Sequence, residues 1–319
     1  MSAAREVLGG RGRAARRLLR STPVLGTASQ VAAEAVRLGL RQRVTGLAAE
    51  AAFFALLSLP PLVLGLTGLA ALVGSRLGAD TTAQLQEVLS TQLGPFLTSR
   101  VVDETIVPTV AAALDGPRFD LISIGFVLSL WSGSRALAVL LETVSIMYGT
   151  GGQRGLLRAR ALSVGLYVLG LGAGGVALPL LLLGPSLLGD LLPAGLEWLL
   201  ALYWPVALLL SSLLLALLYH VATPVRLAWR RTVPGAVLAL ALWVLASWGL
   251  RALLALTLGT GRGVAIYGPL TAPIVLLLWF YLLALAVLLG AGVNAAVEHV
   301  RPQRDEDGMT VAERAAEGT

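Results

Sequence analysis

The chain has 319 residues, 56% of them apolar and only 13% charged, whereas a soluble domain carries roughly half apolar and a quarter charged residues. With a mean hydropathy of +0.81, it has too few charges to clothe a water-facing surface of that size. No cysteine is present, which excludes a disulfide framework, a thiolate nucleophile and a cysteine-ligated metal. All 24 basic residues are arginine and the formal net charge is +6, so the positions of the arginines decide whether that charge is meant for nucleic acid or for a membrane.

Taken in order, residues 1–46 hold nine arginines and no apolar core of the kind a signal peptide carries. Residues 1–30 are expected to form a basic disordered tail. Over residues 31–46 apolar and basic positions alternate at helical spacing, with Val36 and Leu40 on one side and Arg37 and Arg41 beside them. This pattern predicts an amphipathic helix lying on anionic lipid headgroups.

Six apolar stretches follow, at about 47–74, 121–147, 161–189, 198–219, 235–258 and 268–297. Residues 161–189 and 263–297 contain no charge at all, and each run exceeds the roughly 20 residues that cross a hydrocarbon core. Inside lipid every backbone polar group needs an internal partner, so each stretch is read as a helix. The fold class is therefore all-α, a polytopic integral membrane protein whose domain of six transmembrane helices spans residues 47–298, with a tail at 299–319. Gly184, Pro185, Gly189, Asp190, Pro193 and Gly195 supply the breakers for a hairpin between the third and fourth spans. Between the first two spans, residues 75–120 are mildly acidic, and Thr81 and Gln84 have capping-box spacing, which predicts a short helical segment outside the membrane. Gly170 and Gly174 in the third span have the spacing that permits close helix approach.

Eighteen arginines fall in the segments that share a side with the N-terminus and four on the other, with Arg135 and Arg251 inside spans. The bias places both termini in the cytoplasm of the inner, or plasma, membrane. The positive charge then belongs to anionic headgroups, and no nucleic-acid partner is expected.

Charges within spans are costly and face protein or water, so they are the candidate site residues. Arg135 lies mid-span in the second stretch, and Glu142 is two turns further along the same face. Glu50 in the first span and Asn294 and Glu298 in the sixth lie in the same cytoplasmic-side layer. Two readings stay open: Arg135 pairs with Glu142 or with another helix and fixes packing, or the layer walls a cytoplasm-open cavity for an anion. Pro60 and Pro61 remove two amide donors from the first span and are candidates for a helix break of the kind that builds transporter sites. The two histidines, His220 and His299, have no ligand spacing. No metal or cofactor is called for, and Gly259–Gly263 lacks the lysine of a nucleotide loop.

Three stretches together resemble a known family: AAEAAFFALLSLPPLVL at 48–64, LWSGSRALAVLLETVSIMY at 130–148 and YGPLTAPIVLLLWFYLLALAVLLGAGVNAAVE at 267–298. The chain is similar to the YihY/BrkB family of bacterial inner-membrane proteins over roughly residues 30–300. One departure is Gly133, where the family pattern would place alanine or another small residue. The resemblance implies a fold of six membrane helices, and adds Trp131 and Ser134, from the second stretch, to the cavity candidates. The family has carried labels as a ribonuclease and as a virulence factor, and transport or lipid handling has been suggested for it. A nuclease needs converging metal ligands, and with two isolated histidines the sequence argues against that activity. The leading expectation is a transporter, exporter or lipid-translocating protein for an anionic or amphipathic substrate. A non-transporting membrane scaffold or envelope-assembly factor is the alternative, and an enzyme ranks last.

Overall fold

The computed structural model describes residues 23–77, 119–191, 198–223, 228–258, 270–302 and 313. Among them are seven long helices: α1 (Pro23–Arg41), α2 (Val44–Leu77), α3 (Phe119–Met147), α4 (Leu156–Leu191), α5 (Trp198–Ala222), α6 (Trp229–Leu258) and α7 (Thr271–Val300). Six of them, α2 to α7, contain runs long and apolar enough to cross a membrane. The predicted short helix at 75–120 and the Gly259–Gly263 turn lie almost wholly outside the described residues.

α7 is the hub of the bundle, packing against α6, α2, α1 and α3, and α2 and α3 form an intimate antiparallel pair. The composition of the interior explains how helices come so near. Half of the buried apolar residues are alanines, among them Ala48, Ala51, Ala239, Ala291 and Ala295, and Ser129, Ser132, Ser134 and Thr143 are buried with them. The large side chains point outward instead: Leu209, Leu245, Trp248 and Leu256 are all exposed. Lipid solvates leucine as well as protein does, so close packing of small residues drives helices together in a bilayer. The described core sits at one end of the bundle, where α2 and α6 begin and α3, α5 and α7 finish.

The tightest crossing joins α6 to α7. A Cβ built on Gly235 would collide with the Gly290 carbonyl, and one on Gly290 would meet the Gly235 carbonyl and the Tyr219 hydroxyl. Side chains clasp the crossing. Asn294 Oδ1 accepts from the Gly235 amide at 2.7 Å, Asn294 Nδ2 donates to the Thr232 carbonyl at 2.9 Å, and the Tyr219 hydroxyl donates to the Val287 carbonyl at 2.7 Å. A second close approach sets Gly125 of α3 on the Pro61 carbonyl of α2.

Several sequence expectations change. α1 starts at Pro23, inside the stretch expected to be a disordered tail; proline is favoured in a helix's first turn because its missing amide is an orphan there anyway. α1 is also tied to the bundle: Leu38 is buried, Glu34 pairs with His299 at 3.6 Å, and Arg301 Nη2 donates to Thr27 Oγ1 at 3.0 Å. Val36 and Leu40 face outward. α1 turns into α2 through Arg43, which takes a φ of 50°. The break expected at Pro60 and Pro61 does not occur, because α2 runs on to Leu77; membrane helices tolerate proline where neighbouring helices approach the freed backbone, and Gly125 of α3 sits on the Pro61 carbonyl. α4 likewise runs past Gly184, Pro185, Gly189 and Asp190 to Leu191, and Pro193 and Gly195 of the expected hairpin lie outside the described residues. Gly170 and Gly174 meet nothing within 4 Å of a built Cβ, so the close approach expected there is made elsewhere.

These glycines differ in consequence. Gly290→Ala forces two backbones apart and should cost about 1–3 kcal/mol. Gly170→Ala adds a methyl to open space and should be neutral or stabilise by up to about 1 kcal/mol. Thermal unfolding of the detergent-solubilised variants reads both, and equal melting temperatures would show that the α6–α7 crossing is not the tight contact described.

Candidate functional site

Candidate residues separate into two groups. In the motif at 129–135, helical geometry sends alternate residues to opposite sides of α3. Ser129 and Gly133 face α4: the Ser129 hydroxyl lies 2.8 Å from the Tyr167 hydroxyl, and a Cβ on Gly133 would occupy the Tyr167 ring. The glycine that departs from the family pattern is therefore the socket for Tyr167. Ser132 and Ser134 are buried and bond back to their own helix, at Leu128 O and Trp131 O. Ser134 thus contributes no free hydroxyl to a site.

Trp131 and Arg135 emerge on the other side, one turn apart. Arg135 sits at the centre of the span Ser123–Met147. Its Nη2 lies 3.4 Å from Glu50 Oε1 of α2, with the side chains 47% and 40% exposed. The guanidinium also stands 5.7 Å from the Phe54 ring centroid, and Phe54 meets Trp131 edge-on at 6.3 Å. A cation over an aromatic face gains electrostatically. Arg160 of α4 completes the group, with Nη2 donating to the Trp131 carbonyl at 3.3 Å. Sequence reasoning passed over Phe54 and Arg160. Phe54 could have been found one turn beyond Glu50, while Arg160 had been counted only as a cytoplasmic arginine.

Glu142 is exposed further along the α3 face, and the partner of Arg135 is Glu50 rather than Glu142. Seven residues along a helix is about 10 Å, whereas Glu50 comes from the neighbouring helix at contact distance.

Asn294 and Glu298 belong elsewhere. Asn294 is spent on the α6–α7 crossing. Glu298, its side chain 5% exposed, accepts from Arg231 Nη1 at 2.8 Å, and the same nitrogen donates to the Arg301 carbonyl. Nearby, just beyond α3, burial and secondarily the Glu298 charge hold the Tyr148 hydroxyl well above the ordinary phenol range. Arg154 donates to the Val221 carbonyl at 2.5 Å, and burial lowers its pKa. The layer expected from sequence therefore divides into a packed polar seal, built on Asn294 and Glu298, and an exposed cluster on the flank of α2 and α3. Among the described residues no three metal-capable side chains come together.

A family model for the virulence factor BrkB matches residues 37–315. The chain belongs to the BrkB family. This BrkB protein is 27% identical over 266 residues to the ribonuclease-like protein YfkH of Bacillus subtilis (strain 168), an alignment covering 81% of this chain and 92% of that one. Over 96 residues it is 33% identical to the UPF0761 membrane protein Smlt0865 of Stenotrophomonas maltophilia (strain K279a), covering 30% of this chain and 22% of the other. No solved structure matches it. With six apolar helices, this BrkB chain is a multi-pass membrane protein.

The two ion pairs should respond differently to loss of a carboxylate. Glu298→Gln removes the charge of a buried carboxylate that pairs with Arg231 and should cost about 2 kcal/mol or more. Glu50→Gln in the exposed pair should cost less than about 1 kcal/mol. Thermal unfolding of the two variants makes the comparison; an equal or larger loss for Glu50→Gln would contradict the division into seal and exposed cluster.

Proposed function

We propose that this BrkB protein is a transporter for an anionic or amphipathic substrate, a class that includes exporters and lipid-translocating proteins, and that Arg135 is its counter-charge. The single observation behind this reading is an arginine at the centre of an apolar span with about half of its side chain uncovered by protein. A charge at that depth is sustained by water or by a ligand, because bare acyl chains would make it very costly. The Phe54 ring stands 5.7 Å from that charge, with Trp131 edge-on against the ring, and about half of the arginine side chain stays accessible. In this reading both termini are cytoplasmic, as the arginine distribution favours. Glu142 and the Arg135–Glu50 pair then form a polar surface opening toward the cytoplasmic side. The outward Val36 and Leu40 of α1, flanked by Arg37 and Arg41, rest on anionic headgroups.

A second reading, a non-transporting scaffold or envelope-assembly factor, draws on the packed seal around Asn294 and Glu298, which fills the bundle interior at that end. The ribonuclease-like name belongs to YfkH, and no residue role is carried from it to this chain.

Purified protein in liposomes tests transport with two probes: trapped carboxyfluorescein as a soluble anion, and phosphatidylglycerol with a fluorescent NBD group on its acyl chain. The wild type should speed passage of at least one over protein-free liposomes. Arg135→Ala and Glu142→Ala should each slow it at least about tenfold with undiminished protein in the membrane. If neither probe moves faster with the wild type, the transport reading fails and the scaffold stands.

A further inference from the structure

We infer that the substrate at Arg135 is an anionic lipid, taken sideways from the bilayer along an open furrow between α2 and α3; this rests on the transport reading above. The furrow is written in the periodicity of α3. Ile124, Leu128, Trp131, Arg135 and Glu142 are spaced so that all five share one helix face, and all five are exposed. On α2, Leu57 is exposed two turns from Glu50 on the matching face, with Phe54 between them.

Along this stripe the chemistry changes once. From Glu142 to Arg135 it is charged, and Arg160 of α4 brings a second guanidinium to the Trp131 carbonyl. Trp131 and Phe54 stand at the boundary. Beyond them, Leu128 and Ile124 offer only hydrocarbon. A soluble anion would gain nothing from that half of the furrow, whereas a lipid matches both halves, with its phosphate against the arginines and a chain against the leucine and isoleucine. From Arg135 to Ile124 is about 16 Å of helix, close to one leaflet of a hydrocarbon core roughly 30 Å thick. Arg135 also lies at the centre of its span, where a headgroup in transit meets its highest barrier. Arg135 and Arg160 stand against Glu50 and Glu142 in the charged half, two positive charges balancing two negative ones, and the planar guanidinium of Arg135 suits the oxygens of a phosphodiester that displaces Glu50. Because the stripe is on the exposed flank of the helix pair, entry needs no opening of the packed seal.

The experiment follows fluorescent phosphatidylglycerol and phosphatidylcholine, both labelled on the acyl chain, in proteoliposomes of the full chain, with dithionite quenching to report exchange between leaflets and carboxyfluorescein release measured in parallel. Phosphatidylglycerol should cross at least about fivefold faster than phosphatidylcholine. Arg160→Ala should erase most of that preference. Leu128→Asn should slow both lipids and leave carboxyfluorescein release unchanged, while Leu209→Asn, on the exposed surface of α5, should behave as wild type. Release of carboxyfluorescein without lipid exchange would overturn the lipid assignment and leave the transport reading intact, and movement of neither probe would overturn both. Equal rates for the two lipids, or wild-type lipid exchange in Leu128→Asn, would overturn the furrow as drawn.

Discussion

Everything at the packed end of this protein depends on two backbones touching. Gly235 and Gly290 let α6 and α7 approach until each carbonyl rests on the other helix, and the amide of Asn294 closes the gap by satisfying groups on both sides of it. In lipid there is no solvent to pull helices together, so contact at van der Waals range and a few interhelical hydrogen bonds carry the load. α7 is pinned to α6 by this crossing and then presents its remaining faces to α1, α2 and α3. Tyr219 extends the same contact to α5. The abundance of alanine in the core follows from this geometry, because any larger residue would widen the spacing that the glycines set.

The two ion pairs divide the molecule by environment. Arg231 and Glu298 lie at the packed end, held by a short bond and further anchored to the end of α7. Arg135 and Glu50 are longer-bonded, half uncovered and surrounded by aromatic rings. An ion pair whose carboxylate is buried fixes a structure, since losing either partner strands the other. The pair at mid-span keeps close to half of each side chain uncovered instead. The same residue types thus stand in two environments, one closed over by protein and one open.

Sequence and structure agree on the six apolar helices and differ on direction. Hydropathy marks where each apolar stretch runs, and six such helices duly appear. Arg135 at the middle of one could be read from the sequence for that reason. What one sequence lacks is azimuth, meaning which neighbour each helical face meets. Asn294, Glu298, Glu50 and Glu142 were grouped because they share a depth, yet the first two turn toward α6 and the other two lie on the far flank of α2 and α3. Proline and glycine carried a related ambiguity. Pro60 and Pro61 bring the chemistry of a break, but the neighbouring α3 supports the helix through them. Gly170 and Gly174 have the spacing for a close crossing, yet among the described residues nothing lies within 4 Å of a Cβ built at either. Gly133 looked like a mild departure from a family pattern until the Tyr167 ring was seen to need the space.

That ring has a mechanical meaning. α4 has the least buried apolar window of the six spans, and its contact with α3 centres on a tyrosine seated in a notch and bonded to Ser129. Arg160 lies two turns before that seat on the same helix, so the notch also sets how near its guanidinium stands to the Trp131 carbonyl. A methyl at position 133 would push the ring, and the arginine with it, off α3.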